Sequence, residues 1–256
     1  EYEITVVQRE YENYQPTYVS GMLTVSRRDL IIRADNKTIT YGDAPPQHTI
    51  TYSDLQNNDN LEDTIICSYQ RYDNAGEYAI MIVRKSYKNY NATYVDGVLT
   101  VLKKAITVKA DDKEIIYGDD LPQFTFQYTG LVNQDTLTDT ATTVYNRYDD
   151  TGEYAIKVTP REYVNYAATY IDGVLRVLKK DLVVRAEDQY IRYGSEVPEI
   201  TFIFEGLAGP KTPVIEAYTT YYKNADVGDY PIIITTTELR NYEAQFINGT
   251  IYVDKS

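Results

Sequence analysis

Asn89-Tyr90-Asn91-Ala92-Thr93-Tyr94-Val95-Asp96-Gly97-Val98-Leu99-Thr100-Val101-Leu102 sets alternating side chains on either side of an Asp-Gly pair. Period-two alternation marks half-buried strands, and Asp-Gly between two such runs predicts a two-residue hairpin. Its register pairs Tyr94 with Leu99 and Ala92 with Val101 on a face expected to be core. The same face recurs as Ala168, Tyr170, Leu175 and Val177, and again as Ala244, Phe246, Ile251 and Val253.

Working outward, the landmarks return at one interval. Asn-Tyr stands at 13–14, 89–90, 165–166 and 241–242, and Tyr-Gly at 41–42, 117–118 and 193–194. Each spacing is 76 residues, and residues 29–104 and 105–180 share 40 identities without a gap. Internal repetition of this kind decides the organisation of a chain before any local propensity does. The units are 29–104, 105–180 and 181–256, and residues 1–28 correspond to the last 28 residues of a repeat. The chain is therefore expected to start within a unit and to be part of a longer array.

Each unit reads as β throughout. Leu30, Ile32 and Ala34 share one strand face while Arg33 points to the other. Tyr-Gly, with Pro46, Pro122 or Pro198 four residues after the Gly, predicts a turn. A strand follows at 47–52 and its copies, then the largest loop at 53–63. A strand near Thr64–Tyr69, a turn ending in Gly76 and the strand Glu77–Val83 complete the unit. Six or seven short strands in 76 residues predict an all-β chain of tandem small Ig-like β-sandwich domains. A β-grasp-like unit with a short helix within 55–63 is the structural alternative. Val101-Leu102-Lys103-Lys104-Ala105-Ile106 joins successive units without Gly, Ser or Pro, so the links are stiff and the array is expected to be a rod of roughly 100 Å.

Composition narrows the function. The 256 residues carry 25 basic and 38 acidic side chains, for a net charge of −13, which argues against a nucleic-acid partner. No apolar run approaches the ~18 residues of a membrane span. One Cys permits no internal disulfide, and one His rules out multi-His metal sites. The 28 tyrosines are the unusual feature. Sorted by phase in the repeat, 24 of them occupy positions shared between copies, which suits half-buried strand residues with hydroxyls at the surface or on backbone groups. Tyr190, Tyr218, Tyr222 and Tyr252 belong to the third unit alone. The cluster Tyr218, Tyr221 and Tyr222 is the candidate for ligand binding, as a stacking surface for sugars.

Catalytic groups are scarce. His48 matches Phe124 and Ile200, Cys67 matches Thr143 and Thr219, and nothing around them resembles a nucleophile turn. The paired carboxylates read as surface turns, and a glycosidase cleft is hard to build in a 76-residue unit. An intramolecular Lys–Asn isopeptide bond could form in one unit at most, since the strand position reads Arg33, Lys109 and Arg185. Calcium is the one cofactor to weigh, with Asp111, Asp112, Asp149 and Asp150 as candidate ligands, because oxygen-rich turns suit it. Yet no Asp-x-Asp-x-Asp-Gly loop occurs, and Asp is an ordinary turn residue.

Ala-Asp-Asn-Lys-Thr-Ile-Thr-Tyr-Gly-Asp-Ala-Pro-Pro at 34–46, followed by the Asn-Tyr to Asp-Gly run at 89–101, resembles the MBG-type repeat of bacterial surface proteins in its Tyr-Gly variant. The resemblance covers all three units and the initial part-unit. It implies a large secreted or surface-anchored bacterial protein with tandem Ig-like β-domains, often adhesin-like, and it brings no catalytic residues. The expected role is a non-enzymatic structural stalk projecting a distal module at the extracellular bacterial cell surface, with neighbouring repeats as the immediate partners. An adhesive module for host or environmental glycan or protein is the second reading. Strand-mediated self-association through 1–28, giving a filament or matrix component, is the third.

Overall fold

The computed structural model describes residues 1–56 and 59–255, and every regular element among them is a β-strand. The chain divides into two compact units, Glu1–Lys104 with Tyr163–Ala167, and Ala105–Glu162 with Ala168–Ser256. At the N-terminus, β1 (Tyr2–Ile4) and β2 (Gly21–Leu23) form an antiparallel ladder that pairs Tyr2 with Leu23. Tyr78 and Leu99 repeat that pairing one period later. Both short strands are exposed along their length.

The first repeat holds β3 (Arg28–Ala34), β4 (Lys37–Thr40), β5 (Ile50–Tyr52), β6 (Ile65–Cys67), β7 (Gly76–Ile82), β8 (Tyr90–Val95) and β9 (Gly97–Leu102). The second holds β10 (Lys104–Ala110), β11 (Lys113–Ile116), β12 (Phe126–Thr129), β13 (Ala141–Thr142), β14 (Gly152–Val158), β15 (Tyr166–Ile171) and β16 (Gly173–Leu178). The third holds β17 (Lys180–Ala186), β18 (Gln189–Arg192), β19 (Phe202–Glu205), β20 (Ala217–Thr219), β21 (Gly228–Ile234), β22 (Tyr242–Ile247) and β23 (Gly249–Asp254). In each repeat a three-stranded sheet, ordered β5-β3-β8 in the first, faces a four-stranded sheet ordered β4-β9-β7-β6. The other copies are β12-β10-β15 with β11-β16-β14-β13, and β19-β17-β22 with β18-β23-β21-β20. Seven strands split three and four make a small sandwich of the Ig-like strand count. The helix that a β-grasp unit would place within 55–63 does not occur among the described residues; residues 57 and 58 of that loop lie outside them.

Alternation puts one side of each strand between the sheets. Leu30, Ile32 and Ala34 of β3 face Ile80 and Ile82 of β7 and Leu99 and Val101 of β9, all buried. In the third repeat Ala186, Tyr221, Ala225, Ile232, Ile251 and Val253 form the equivalent cluster. Burying a Leu or Ile this fully contributes about 1.5–3 kcal/mol, which must offset the ordering of a short chain segment.

The Asp-Gly hairpin does not form. β8 runs parallel to β3, whereas β9 pairs antiparallel with β7 and parallel with β4. Tyr94 therefore lies beside Ile32 rather than Leu99, and Ala92 beside Leu30 rather than Val101. The inward face is nonetheless the one that alternation predicts, with Ala92 and Tyr94 half-buried and Leu99 and Val101 buried, because alternation fixes the face without fixing the partner. Two neighbouring strands cross together from one sheet to the other, β3 into β4 at 35–36 and β8 into β9 at 96–97. A type I′ hairpin needs positive φ at both turn residues, and neither Asp96 nor Gly97 has it. Glycine stands there for space: a Cβ on Gly97 would sit 2.7 Å from the Ala34 carbonyl oxygen, and on Gly249 2.6 Å from that of Ala186. The Tyr-Gly turn does use the left-handed region, with Gly42 at φ 93° and Asp43 N–H donating to Thr40 O at 2.9 Å.

Candidate functional site: repeat contacts and the third-repeat tyrosines

The tyrosines that recur in phase hold the frame. Tyr69, Tyr145 and Tyr221 are buried, and each meets a second ring edge-on, Tyr78, Tyr154 or Tyr230, at 5.2, 5.0 and 5.4 Å. The hydroxyls of the second set donate to carbonyls four residues back, Asn74, Asp150 and Asp226. Tyr18, Tyr94 and Tyr170 each donate to the carbonyl and accept from the N–H of one residue nine positions earlier, Arg9, Lys85 and Arg161. Such bonds tie loops to strands at a ring's cost in side-chain entropy, which is small. Burial and a hydrogen bond to Asp63 push the Tyr52 hydroxyl up to about 12, and burial with Asp139 does the same for Tyr128. Burial, followed by Asp63, also raises Tyr87.

Inside each compact unit the Asn-Tyr and Tyr-Gly landmarks meet. Residues 163–167, second-repeat in sequence, pack within the first compact unit. There Asn165 Oδ1 accepts from Ala75 N–H at 2.9 Å, Asn165 Nδ2 donates to Asn74 Oδ1 at 3.0 Å, and Tyr166 meets Tyr41 edge-on at 5.4 Å. Within the second unit Asn241 Oδ1 accepts from Thr151 N–H at 2.9 Å, its Nδ2 donates to Asp150 Oδ1 at 3.0 Å, and Tyr242 meets Tyr117 at 5.3 Å. The Arg240–Asp150 ion pair at 3.0 Å is added there. Tyr41 and Tyr117 are 3% and 6% exposed under these contacts, whereas Tyr193, at the same phase, is 47% exposed.

Tyr72 and Tyr148 both adopt φ 74°, a costly left-handed conformation for a bulky residue. Arg71 and Arg147 lie over their rings at 4.9 and 5.1 Å and donate to the carbonyls of Gly42 and Gly118, which anchors the strained residue to the Tyr-Gly turn.

The calcium candidates are occupied by protein donors. Asp111 accepts from Thr125 and Gln127, and these bonds hold its carboxyl below the usual carboxylate range. Asp112 Oδ1 accepts from Val174 N–H at 2.9 Å, the bond that neutral Asn36 makes to Val98 at 2.8 Å, so the position requires an acceptor and not a charge. Asp149 caps its own turn through Asn146 N–H, and Asp150 is taken by Asn241 and Arg240. Among the described residues no group of three or more His, Cys, Asp or Glu side chains gathers to hold a metal. His48 is half-buried just before β5, and Cys67 is a free thiol on β6.

Tyr218, Tyr221 and Tyr222 do not converge as a surface. Tyr221 is core, its hydroxyl on Ser195 O at 2.7 Å, while Tyr218 and Tyr222 are 50% and 66% exposed at separate places, one on β20 and one in the turn beyond it. The pair that does form is Tyr190 with Tyr252, rings stacked at 4.9 Å and 15° on the outer face of β18 and β23. Both residues are peculiar to the third repeat, which was visible in the sequence. Their pairing was hidden by the hairpin reading, which gave β23 the wrong neighbours.

Residues 30–100, 106–176 and 182–252 each match the MBG domain of the YGX type. The chain belongs to the MBG domain family. Its three MBG domains carry the family's Tyr-Gly at the turn whose glycine takes positive φ. No curated protein matches the chain in sequence. Among solved structures, the I9–I11 tandem of titin is 12% identical over 89% of this chain and 100% of its own, with a TM-score of 0.24. Drosophila N-cadherin EC1–3 is 11% identical over 91% and 100%, with a TM-score of 0.29. Three N-terminal domains of the outer capsid protein Hoc of bacteriophage RB49 are 10% identical over 82% and 93%, with a TM-score of 0.23. The sandwich assignment for the MBG domains rests on their own strand pairing rather than on these likenesses.

Proposed function

We propose that the three MBG domains are a non-enzymatic structural spacer in an extracellular, adhesin-like protein of a bacterial cell surface, carrying a distal module away from the cell. The observation behind this reading is the economy of the links. One residue, Lys103 or Lys179, separates the last strand of one repeat from the first strand of the next. Within the second compact unit the Asn241 bonds to Thr151 N–H and Asp150 then fasten the third repeat to the second. A spacer must resist bending, and links this short leave little backbone freedom.

Small-angle X-ray scattering tests it. Repeats of ~30 Å laid end to end give a radius of gyration near 29 Å, against about 18 Å for a compact particle of the same length. The lower value, or the broad scattering of freely jointed domains, would remove the spacer role.

A further inference from the structure

The outer face of the four-stranded sheet has one set of three cross-strand positions that differs between repeats. In the second repeat Arg176 stands between Glu114 and Glu153, at 3.8 and 2.9 Å. In the first, the same positions hold Thr38, Thr100 and Glu77. In the third they hold Tyr190, Tyr252 and Asp229. The third repeat thus keeps one acid of the triplet, loses its central base and replaces the other two members with rings.

Strands about 4.8 Å apart hold the two rings face to face in register. Tyr190 lies on β18, an edge strand, and is 74% exposed, so the outer face of its ring is open to solvent. The ring face is electron-rich and attracts a guanidinium or ammonium group, and this chain already sets Arg71 over Tyr72 and Arg147 over Tyr148. The surroundings carry the same sign: Asp229 flanks Tyr252, Asp254 follows on the next rung opposite Arg192, and residues 181–256 have 6 basic against 12 acidic side chains, a net −6. That excess repels acidic polymers and draws cationic ones.

We infer that the stacked Tyr190–Tyr252 pair docks a basic peptide segment, with an arginine guanidinium laid on the open face of Tyr190 at the sheet edge and the acidic surface around it, Asp229 and Asp254 included, supplying the longer-range attraction. The second repeat, which carries its own arginine in the triplet, and the first, which has no rings, do not share this property.

The test uses the full chain and a fluorescein-labelled Gly-Arg-Gly-Arg-Gly peptide, followed by anisotropy at low salt. A citrulline peptide of the same sequence and maltohexaose serve as neutral probes. Two double variants are compared, Y190T/Y252T, which installs the first repeat's residues, and Y190E/Y252R, which installs the second's. Neither alters net charge, and both sets already exist within this fold. The expected result is at least a tenfold loss of peptide binding in each, with the citrulline peptide weak throughout. Equal binding by parent and variants would show attraction to bulk charge alone and overturn the proposal. Binding of maltohexaose, lost in the variants while the arginine peptide stays unbound, would overturn it in favour of a sugar surface.

Discussion

Gly173 shows how much one hydrogen atom can decide. A Cβ there would lie 2.9 Å from the carbonyl oxygens of both Ala110 and Asp111, backbone atoms that cannot swing aside. Gly173→Ala is expected to destabilise the protein by about 1–3 kcal/mol, the usual cost of overpacking. Gly21→Ala, where the nearest atoms belong to Ile4 at 3.7 Å, should be close to neutral, and urea denaturation of the two variants compares them directly. The residue before the glycine behaves differently. Asp172 Oδ1 accepts from Val158 N–H at 2.9 Å, and Asn248 makes the same bond to Ile234 in the third repeat. Asp172→Asn should therefore change stability by less than ~0.5 kcal/mol, while Asp172→Ala strands a half-buried N–H and costs about 1–3 kcal/mol. An equal loss for both substitutions would mean that charge matters at this position. The Asp/Asn-Gly pair is plain in the sequence and its use is not, because a turn glycine and a close-approach glycine look alike in one dimension. What separates them is the carbonyl of Ala34, Ala110 or Ala186, 63 residues away along the chain.

At the level of elements, inward faces were legible and neighbours were not. Alternation named Leu30, Ile32, Leu99 and Val101 as core, since a strand with one buried face must place apolar residues two apart. The parallel partnerships of β3 with β8 and β4 with β9 leave no such trace, because they depend on two strands changing sheets side by side. β4 itself, Lys37–Thr40, is short and polar, with Ile39 its one apolar side chain, so no alternation marks it as a strand. Asn-Tyr and Tyr-Gly stand out in the sequence as markers of the period, but nothing in it says that they meet. Asn165→Ala removes an acceptor from Ala75 N–H and a donor to Asn74 Oδ1, and should cost about 1–2 kcal/mol. Amide exchange at Ala75 should quicken well before exchange in β7, where the ladder is untouched. If exchange at both sites rises together, Asn165 supports the whole first unit and not this contact alone.

For the molecule as a whole, the same tyrosines that hold the frame set its limit in alkali. Tyr52 and Tyr128 are pushed up to about 12, and burial also raises Tyr69, Tyr117, Tyr145 and Tyr154. In the unfolded chain a tyrosine gives up its proton near 10. Below that value both states keep the proton, and the stabilisation is complete. Between 10 and 12 the unfolded state holds fewer protons than the folded one, so stability falls as pH rises. The carboxylates work at the opposite end. Asp35 and Asp111 are held low by Thr49 and Thr125, so their contribution is present above about 4 and is lost as pH falls through their folded values. That acid loss should be small, because both carboxylates are partly exposed and screened by solvent, whereas Tyr69, Tyr117 and Tyr145 are buried and Tyr52, Tyr128 and Tyr154 half-buried. Tyrosinate absorbance at 295 nm, followed beside far-UV circular dichroism, should show an early group of rings ionising with the strands intact. A second group should then ionise in one steep step together with the loss of strand signal, above pH 10. Tyr52→Phe with Tyr128→Phe removes two of the strained hydroxyl equilibria and should move that step to higher pH. A single smooth titration of all 28 tyrosines near 10, with the dichroism unchanged, would contradict the framework role given to these rings.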